Sequence, residues 1–209
     1  MHARRIEQKM IVKNDFKVRH VQITTKRLVL RPWKTTDLES YHKYACSDAS
    51  GEMTDRKPHR SVSESKHVLN KMINHNAGLA ITLKGTDIVV GTIDAERLNG
   101  VRNKGEEADK LEKMVTGRRC VQISVTLSPN MRGVGLGQEV VNALCKWLEE
   151  YRKLQIIYAE IRKGNAAAAH IFEKYKFTQF DEVQEKDEQE KAVTVLRYAR
   201  ICQDNLKEQ

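Results

Sequence analysis

The sequence lacks the features that mark membrane proteins, disulfide-rich proteins and metal-binding proteins. No apolar run approaches the roughly 20 residues that span a bilayer, and no internal repeat or low-complexity tract is present. None of the seven histidines has a second ligand at a suitable helical spacing, so we assign no metal. The four cysteines form no paired spacing, which favours free buried thiols over a disulfide framework. These cysteines are Cys46, Cys120, Cys145 and Cys202.

The N-terminal residues also lack the apolar core of a secretory signal, and Glu7 and Asp15 argue against an organelle-import signal. We therefore expect a cytoplasmic protein. Residues 1–20 are basic and weakly periodic, and we interpret them as a loose leader before one domain over residues 21–203. The net charge of +9 suits an enzyme with a polyanionic cofactor, and it suits docking on ribosomal RNA equally well.

What is present is a strand, a glycine loop and a helix between Val121 and Leu148. Residues 121–127 are β-branched and apolar, and from Leu136 onward the apolar residues recur at helical spacing. The first N–H groups of a helix are unpaired and carry partial positive charge, so such an end binds phosphate. Arg132 adds a full positive charge, and the glycines let the backbone approach an anion closely. These glycines, at positions 133, 135 and 137, predict a pyrophosphate cradle.

Two other phosphate loops are excluded by the residues that follow. A Walker loop ends in Gly-Lys-Ser/Thr, whereas Gly137 is followed by Gln138. A dinucleotide fingerprint requires its third glycine three residues after the second, and position 138 is not glycine. The remaining pattern, Arg-x-x-Gly-x-Gly after a strand, resembles motif A of the GCN5-related N-acetyltransferases (GNAT), whose loop holds the pyrophosphate of acetyl-CoA.

Other stretches resemble the same superfamily in the same order. Residues 24–38 are similar to the opening of its RimJ/RimL branch, and so are residues 57–65. Leu127-Ser128-Pro129 ahead of the loop, with Glu139 behind it, fits as well. Residues 164–177, which begin Gly-Asn and end Tyr-Lys-Phe, resemble the family's motif B. The resemblance runs from about residue 22 to about residue 200.

The resemblance implies an α/β (α+β) fold with a central mixed, mostly antiparallel twisted sheet of about seven strands, flanked by helices. Two strands, ending at Leu127 and Ile161, would splay apart and admit the pantetheine arm of acetyl-CoA as an extra strand. A backbone N–H there would polarise the thioester carbonyl. The cofactor contacts that it implies are Val125, Leu127, Arg132, Gly133, Val134, Gly135, Leu136, Gly137 and Asn165.

The implied reaction is direct attack of a neutral amine on the acetyl thioester, but the usual proton-transfer residues are missing. Gln122 stands where many relatives carry a glutamate base, and Phe172 stands where some carry a tyrosine acid. Tyr175 lies on the wrong turn of its helix, and we expect it to be a packing residue. Gln122 and Ser124 are candidates for orienting a water, and the general base stays unassigned. Charge nearby could come from Asp94, Glu96 or Glu160.

Two segments remain ambiguous. His59 lies in the loop 53–60, which in acetyltransferases borders the acceptor site, so it is a candidate substrate contact; an exposed loop histidine is the alternative. Residues 99–119 are highly charged with few apolar residues. We expect a solvated, mobile insertion with one or two helical turns around residues 106–114, and a specificity loop over the acceptor is the alternative.

Together these features predict an acetyl-CoA-dependent N-acetyltransferase, with a protein N-terminal amine as one candidate acceptor. Acetylation of a small amine, such as a polyamine or an aminoglycoside, is the alternative within the class. A non-catalytic protein that binds acyl-CoA is the alternative outside it. Turnover separates the enzyme from the binding protein, and the size of the best acceptor separates a peptide from a metabolite.

Overall fold

The computed structural model describes residues 20–47, 57–76, 78–98, 106–187 and 190–202. The leader expected at residues 1–20 lies outside these ranges except for His20. An eight-stranded sheet forms the centre, in the order β1-β2-β3-β4-β5-β6-β8-β7. All neighbouring strands are antiparallel except β5 and β6, which are parallel. The strands are β1 (Ile23–Thr24), β2 (Leu28–Arg31), β3 (Leu79–Leu83), β4 (Val89–Leu98), β5 (Cys120–Leu127), β6 (Ile156–Arg162), β7 (Thr178–Lys186) and β8 (Ala192–Ile201).

The mixed α/β sheet confirms the expected fold class, but the strand count is eight and not about seven. The additional strand arises because residues 21–30, which the sequence pattern presents as one strand, contain a tight turn. The backbone N–H of Thr25 donates to the carbonyl of Leu28 at 2.9 Å, and the N–H of Leu28 donates to the Thr25 hydroxyl at 2.9 Å. The chain therefore reverses direction between β1 and β2.

Five α-helices lie in the part of the chain that the structure describes. The second begins at a serine N-cap, where the Ser61 hydroxyl accepts a hydrogen bond from the Glu64 N–H at 3.1 Å. No described helix is both long and apolar enough to cross a bilayer. The helices are α1 (Leu38–Ala45), α2 (Val62–His75), α3 (Glu106–Val115), α4 (Leu136–Arg152) and α5 (Ala166–Lys174).

The helices cover both faces of the sheet. Successive residues of a strand point to opposite faces, and in β5 Val121 belongs to the apolar cluster under α4 and α5 whereas Cys120 belongs to a cluster that includes α3 residues. Helices α1 and α2 pack with Ala80 and Val89 in a third cluster. Because Ala80 pairs with Thr92, on the same face as residues 94, 96 and 98 of β4, α1, α2 and α3 share one face. The opposite face belongs to α4 and α5.

The helical turns expected around residues 106–114 are confirmed, but the expectation of a solvated stretch is wrong where apolar residues of this helix are buried. Residues 106–115 form a three-turn helix, α3, in which Leu111 is 5% exposed and Val115 is 2% exposed. Both pack against Cys120 and Tyr158 on the sheet. Few apolar residues are sufficient here, because a spacing of four places them on one side of the helix.

The four cysteines are free thiols, as predicted. Cys120, Cys145 and Cys202 are buried, whereas Cys46 is exposed at the end of α1, so the expectation of burial is wrong for Cys46. Burial raises the pKa of the Cys145 thiol to about 12. This thiol is therefore protonated and unreactive at neutral pH.

Candidate active site

Strands β5 and β6 separate part-way along their length, as the resemblance implied. They pair only through Cys120–Ile156, Val121–Ile157 and Gln122–Tyr158. Beyond these residues β5 stays paired with β4, and β6 stays paired with β8. Within the described ranges no strand lies between residues 123–127 and residues 159–162. We call this gap the wedge, and its inner backbone edges suit an extended ligand that adds as a strand.

The glycine loop connects the end of β5 to α4 and lies at the mouth of the wedge. After a short 3-10 turn at Pro129–Met131, Gly133 and Gly135 adopt φ values of +76° and +81°. Gly135 is the N-cap of α4, and no side chain caps the helix there. The first amides of α4 are therefore available to an anion, with the helix dipole behind them.

Gly137 has a different role from the other two glycines. A Cβ atom at this position would come within 3.0 Å of Ile171 Cδ1 and 3.7 Å of Leu127 Cδ1. The missing side chain thus allows α4 to pack closely on α5. Leu136, beside it, is buried with 4% exposure, so only its backbone can face a ligand.

Arg27, which no local sequence pattern assigns to the site, binds the glycine loop and the first turn of α4. Its Nη1 donates to the carbonyl of Val134 at 2.8 Å, and its Nε and backbone N–H donate to the two carboxylate oxygens of Glu139, each at 2.8 Å. The Thr25 hydroxyl donates to the same carboxylate at 2.6 Å. Burial opposes ionisation of Glu139, but these bonds hold its pKa below the ordinary value. The turn between β1 and β2 is thereby tied to the first turn of α4.

Arg132 lies back over the end of β5, where its Nε donates to the carbonyl of Leu127 at 3.2 Å. Its side chain is half-buried. The Leu127 carbonyl already has this donor, so among the two predicted strand contacts Val125 is the better placed to pair with an extended ligand. The structure thus brings the predicted cofactor contacts of β5 and the loop together at one end of the wedge.

Asn165 follows β6 on the other side of the wedge and caps α5. Its Oδ1 accepts a hydrogen bond from the N–H of Ala168 at 3.1 Å, which satisfies one of the free amides at the start of the helix. The pantetheine contact proposed for this residue remains a prediction.

The wedge contains one polar cluster, centred on Glu160 of β6. Its Oε1 accepts hydrogen bonds from the Tyr158 hydroxyl and from Arg197 Nε, the latter at 3.3 Å. Its Oε2 accepts from Gln122 Nε2 at 3.4 Å. Burial, followed by the negative charge of Glu160, raises the pKa of Tyr158. Ser124 is exposed and lies opposite Asp94 in the β4–β5 register.

His59 is neither exposed nor isolated, which corrects the alternative interpretation of it. It is half-buried, its ring packs edge-on against Tyr41, and its Nδ1 lies 2.9 Å from the Ser65 hydroxyl. His42 Nδ1 lies 2.8 Å from the same hydroxyl. These contacts tie the end of the loop before α2 to α1. Across the described residues, no group of three or more His, Cys, Asp or Glu side chains is placed to hold a metal ion.

The aromatic residues of α5 serve the core. Phe172 is buried and packs edge-on against Phe177, with ring centroids 4.9 Å apart. Tyr175 is partly buried against the same cluster, which confirms its predicted packing role.

The wedge lies between two parallel strands, and the uncapped, glycine-rich start of α4 lies at its mouth. Both features fall within the match to a known protein family. The family model described as an acetyltransferase (GNAT) domain matches residues 27–178. The chain belongs to the GNAT acetyltransferase family. The match includes the wedge, the glycine loop and Arg27, and it makes the protein an N-acetyltransferase.

Solved structures of GNAT acetyltransferases share the fold. A GNAT-family acetyltransferase from Bacillus anthracis has a TM-score of 0.69 and 18% identity, over 88% of this chain and 99% of that one. Spermidine N-acetyltransferase from Vibrio cholerae, solved with CoA and spermine, has a TM-score of 0.63 and 18% identity, over 86% and 98%. Ribosomal-protein-S5-alanine acetyltransferase from Vibrio fischeri has a TM-score of 0.67 and 16% identity, over 88% and 98%. No curated protein matches in sequence.

The contacts of Arg27 lead to a prediction for this GNAT acetyltransferase. Arg27→Ala should weaken acetyl-CoA binding about tenfold, because a charged hydrogen bond contributes roughly 1.5–3 kcal/mol and 1.4 kcal/mol is a factor of ten. The loss arises through the loop, which is released when the Val134 carbonyl loses its donor. Calorimetric titration with acetyl-CoA measures it.

Lys26→Ala is the matched control, since Lys26 is the preceding residue and is also an exposed cation. Its removal should change the affinity less than twofold. Equal losses in the two variants would mean that long-range charge, and not the position of the loop, accounts for the effect of Arg27.

Proposed function

We propose that this protein is an acetyl-CoA-dependent N-acetyltransferase of the RimJ/RimL type, with a protein N-terminal α-amine as its first candidate acceptor. One observation carries the proposal: the wedge leads directly to the uncapped start of α4. A molecule with an extended arm and a pyrophosphate fits both features at once. The similarity of residues 24–38 and 57–65 to the RimJ/RimL branch supports the finer assignment.

In this proposal the pantetheine arm lies along β5 near Val125, and the pyrophosphate lies on the backbone from Arg132 to Gly137. The amides at the start of α4 would donate to the phosphate oxygens, and the helix dipole would favour their charge. Asn165 would contact the arm from the side of β6. A backbone N–H near Val125 would polarise the thioester carbonyl as charge develops on its oxygen.

The chemistry requires a neutral amine held against the thioester. An α-amine, with a reference pKa of about 7.7–8.0, is partly deprotonated at neutral pH, whereas an alkylamine at about 10.4 is almost fully protonated. The thiol that leaves has a reference pKa of about 8.5, so it departs as a thiolate without a dedicated acid. The burial of Phe172 in the core is consistent with this, because no acid is then required at its position.

The charges around the wedge favour a cationic acceptor. The Vibrio cholerae neighbour is named for spermidine and the Vibrio fischeri neighbour for ribosomal protein S5 alanine. Both are amines that are cationic when protonated. In this chain Glu160 of β6 lines the wedge, and Asp94 and Glu96 lie one strand away on β4; these carboxylates favour a cationic acceptor. A polyamine or another small amine is therefore the alternative acceptor.

Two further parts of the proposal rest on composition. Four free thiols suit a reducing cytoplasm, which we propose as the location of the protein. The net charge of +9 suits contact with ribosomal RNA during acetylation of a nascent or ribosomal protein.

The test is calorimetric titration with acetyl-CoA, followed by an assay of free CoA release with N-terminal peptides and polyamines. Binding with release in the presence of peptides supports the proposal. Release with polyamines alone selects the small-amine alternative. Binding without release from any acceptor supports an acyl-CoA-binding protein, and no binding contradicts the assignment of the glycine loop.

A further inference from the structure

We infer that Glu160 takes the proton from the acceptor amine, and that Arg197 positions it for this task. The inference rests on the proposed function and supplies the general base that the sequence left unassigned. It follows from three observations. These are the face from which an amine can approach, the acceptor capacity that is left on Oε2 of Glu160, and the arrangement of the surrounding charges.

The face of the sheet that carries α1, α2 and α3 leaves side chains along the wedge accessible to an acceptor. On the other face, Val121 and Ile123 of β5 are buried in the core beneath α4 and α5. Side chains alternate along a strand, so Gln122 and Ser124 point to the face that carries α1, α2 and α3. On β6 the corresponding residue is Glu160, whose side chain is 26% exposed. An amine that reaches a thioester in the wedge from this face meets these three polar side chains.

Glu160 is the one carboxylate on the strand segments that line the wedge, residues 123–127 and 159–162. Its Oε1 is occupied by the Tyr158 hydroxyl and Arg197 Nε. Among the described residues, its Oε2 receives only the long 3.4 Å contact from the Gln122 amide. The carboxylate has acceptor sites left over, since it can take about four hydrogen bonds. Oε2 is therefore the oxygen that can accept the proton of an ammonium group.

The other acidic residues nearby are less suited to this role. Asp94 and Glu96 lie on β4, which β5 separates from the wedge. Asp181 of β7 is buried and pairs with Lys110 of α3 at 3.0 Å. Glu185 of β7 pairs with Arg197 Nη2 at 3.3 Å.

Arg197 is the residue that holds this arrangement together. Its side chain is 11% exposed, and its guanidinium faces Glu160, Asp181 and Glu185 with three different nitrogens at 3.3–3.5 Å. The bond from Nε fixes Oε1 of Glu160 and leaves Oε2 towards the wedge.

The proton balance is simple. The ammonium group of the acceptor gives one proton to Glu160 Oε2, and the neutral nitrogen attacks the carbonyl carbon of the thioester. A C–N bond forms and the C–S bond breaks, with the electron pair leaving on sulfur. The nitrogen then loses a second proton, which the thiolate takes up to give free CoA. Glu160 releases its proton to solvent.

Glu160→Gln tests the inference, because it keeps the size of the side chain and removes its ability to accept a proton. At pH 7 kcat/KM for an alkylamine should fall about 100-fold or more, which is within the usual contribution of a general base. For a peptide α-amine the loss should be about tenfold, since roughly one α-amine in seven is already neutral at pH 7. The affinity for acetyl-CoA should not change. Glu182→Gln, at an exposed glutamate of β7, is the matched control and should leave all values unchanged.

The pH profile separates proton transfer from a merely structural effect. With an alkylamine, kcat/KM of Glu160→Gln should rise about tenfold per pH unit up to the pKa of the amine, because only the neutral acceptor then reacts. Arg197→Gln should lower kcat for an alkylamine about tenfold and leave the affinity for acetyl-CoA unchanged, because Oε1 of Glu160 loses the donor that fixes the carboxylate. Arg197→Lys should restore most of kcat, since the ammonium group can donate to the same carboxylate.

The result that overturns the inference is a Glu160→Gln protein whose kcat/KM stays within threefold of wild type at every pH. An unchanged kcat in Arg197→Gln would overturn the role of Arg197 in the same way. Failure of the proposed function looks different, because the wild-type protein itself would then release no CoA with any amine. That result would overturn both the function and the inference.

Discussion

Gly135→Val is expected to reduce the affinity for acetyl-CoA about 100-fold, or about 2.7 kcal/mol, in a protein that remains folded. Gly135 has a φ of +81°, a conformation that costs a β-branched residue roughly 1–3 kcal/mol. The added Cβ would also lie 3.5 Å from Arg27 Nη2. The strain is relieved if the loop turns, and turning the loop misdirects the amides that are proposed to hold the pyrophosphate.

Gly85→Val is the matched control for this prediction. Gly85 also has a positive φ, +87°, and an added Cβ there meets no atom within 4 Å. It lies in the turn between β3 and β4, so it reproduces the backbone strain away from the loop. Calorimetric titration with acetyl-CoA measures the affinity of both variants, and thermal unfolding confirms that both are folded. Gly85→Val should bind acetyl-CoA as the wild type does. Undiminished binding by Gly135→Val would remove the loop from the cofactor site.

The parts of the site that could be predicted from the sequence are those with local signals. The strand before the loop, the glycines and the helix after it follow one another within 30 residues, and each has its own pattern of residue types. The cap at Asn165 is likewise local, because its partner is the N–H of Ala168 three residues later. The splay of β5 and β6 is not local, and it was expected only because the chain resembles a known family.

The contacts that could not be predicted join residues far apart in sequence. Arg27 and Glu139 are 112 residues apart, and nothing in either local pattern indicates that their side chains meet. Arg197 and Glu160 are opposite each other only because β8 returns beside β6 in this register. The sequence indicates Glu160 as a source of charge, but the orientation of its carboxylate follows from three partners on three strands. Such long-range pairings depend on the assembled sheet.

The burial of helix α3 could not be predicted either, because the surface that it packs against is distant in sequence. Its composition is polar, and Lys110 and Lys113 are exposed. What composition does not reveal is a complementary apolar surface on the sheet, formed by residues such as Cys120, Ile156 and Tyr158. Leu111 and Val115 of the helix pack with this surface, so the helix is part of the core.

Leu111→Ala therefore should destabilise the protein by about 2–5 kcal/mol, the usual range for removing a buried leucine side chain. Leu111 is 5% exposed and packs in the cluster with Cys120 and Tyr158. Denaturant unfolding measures the change. Ile88→Ala is the control, because it removes an aliphatic side chain that is 50% exposed in the turn between β3 and β4. It should cost less than about 1 kcal/mol, as surface changes usually do.

Leu111→Ala should also lower the rate of acetyl transfer. Tyr158 packs in the cluster with Leu111 and donates its hydroxyl hydrogen bond to Glu160. A cavity beside its ring should loosen that bond, so kcat should fall while the affinity for acetyl-CoA is kept. The opposite result would be a Leu111→Ala protein that loses as little free energy of unfolding as Ile88→Ala and keeps full kcat. In that case α3 contributes nothing to the core, and its composition is right in suggesting a solvated segment.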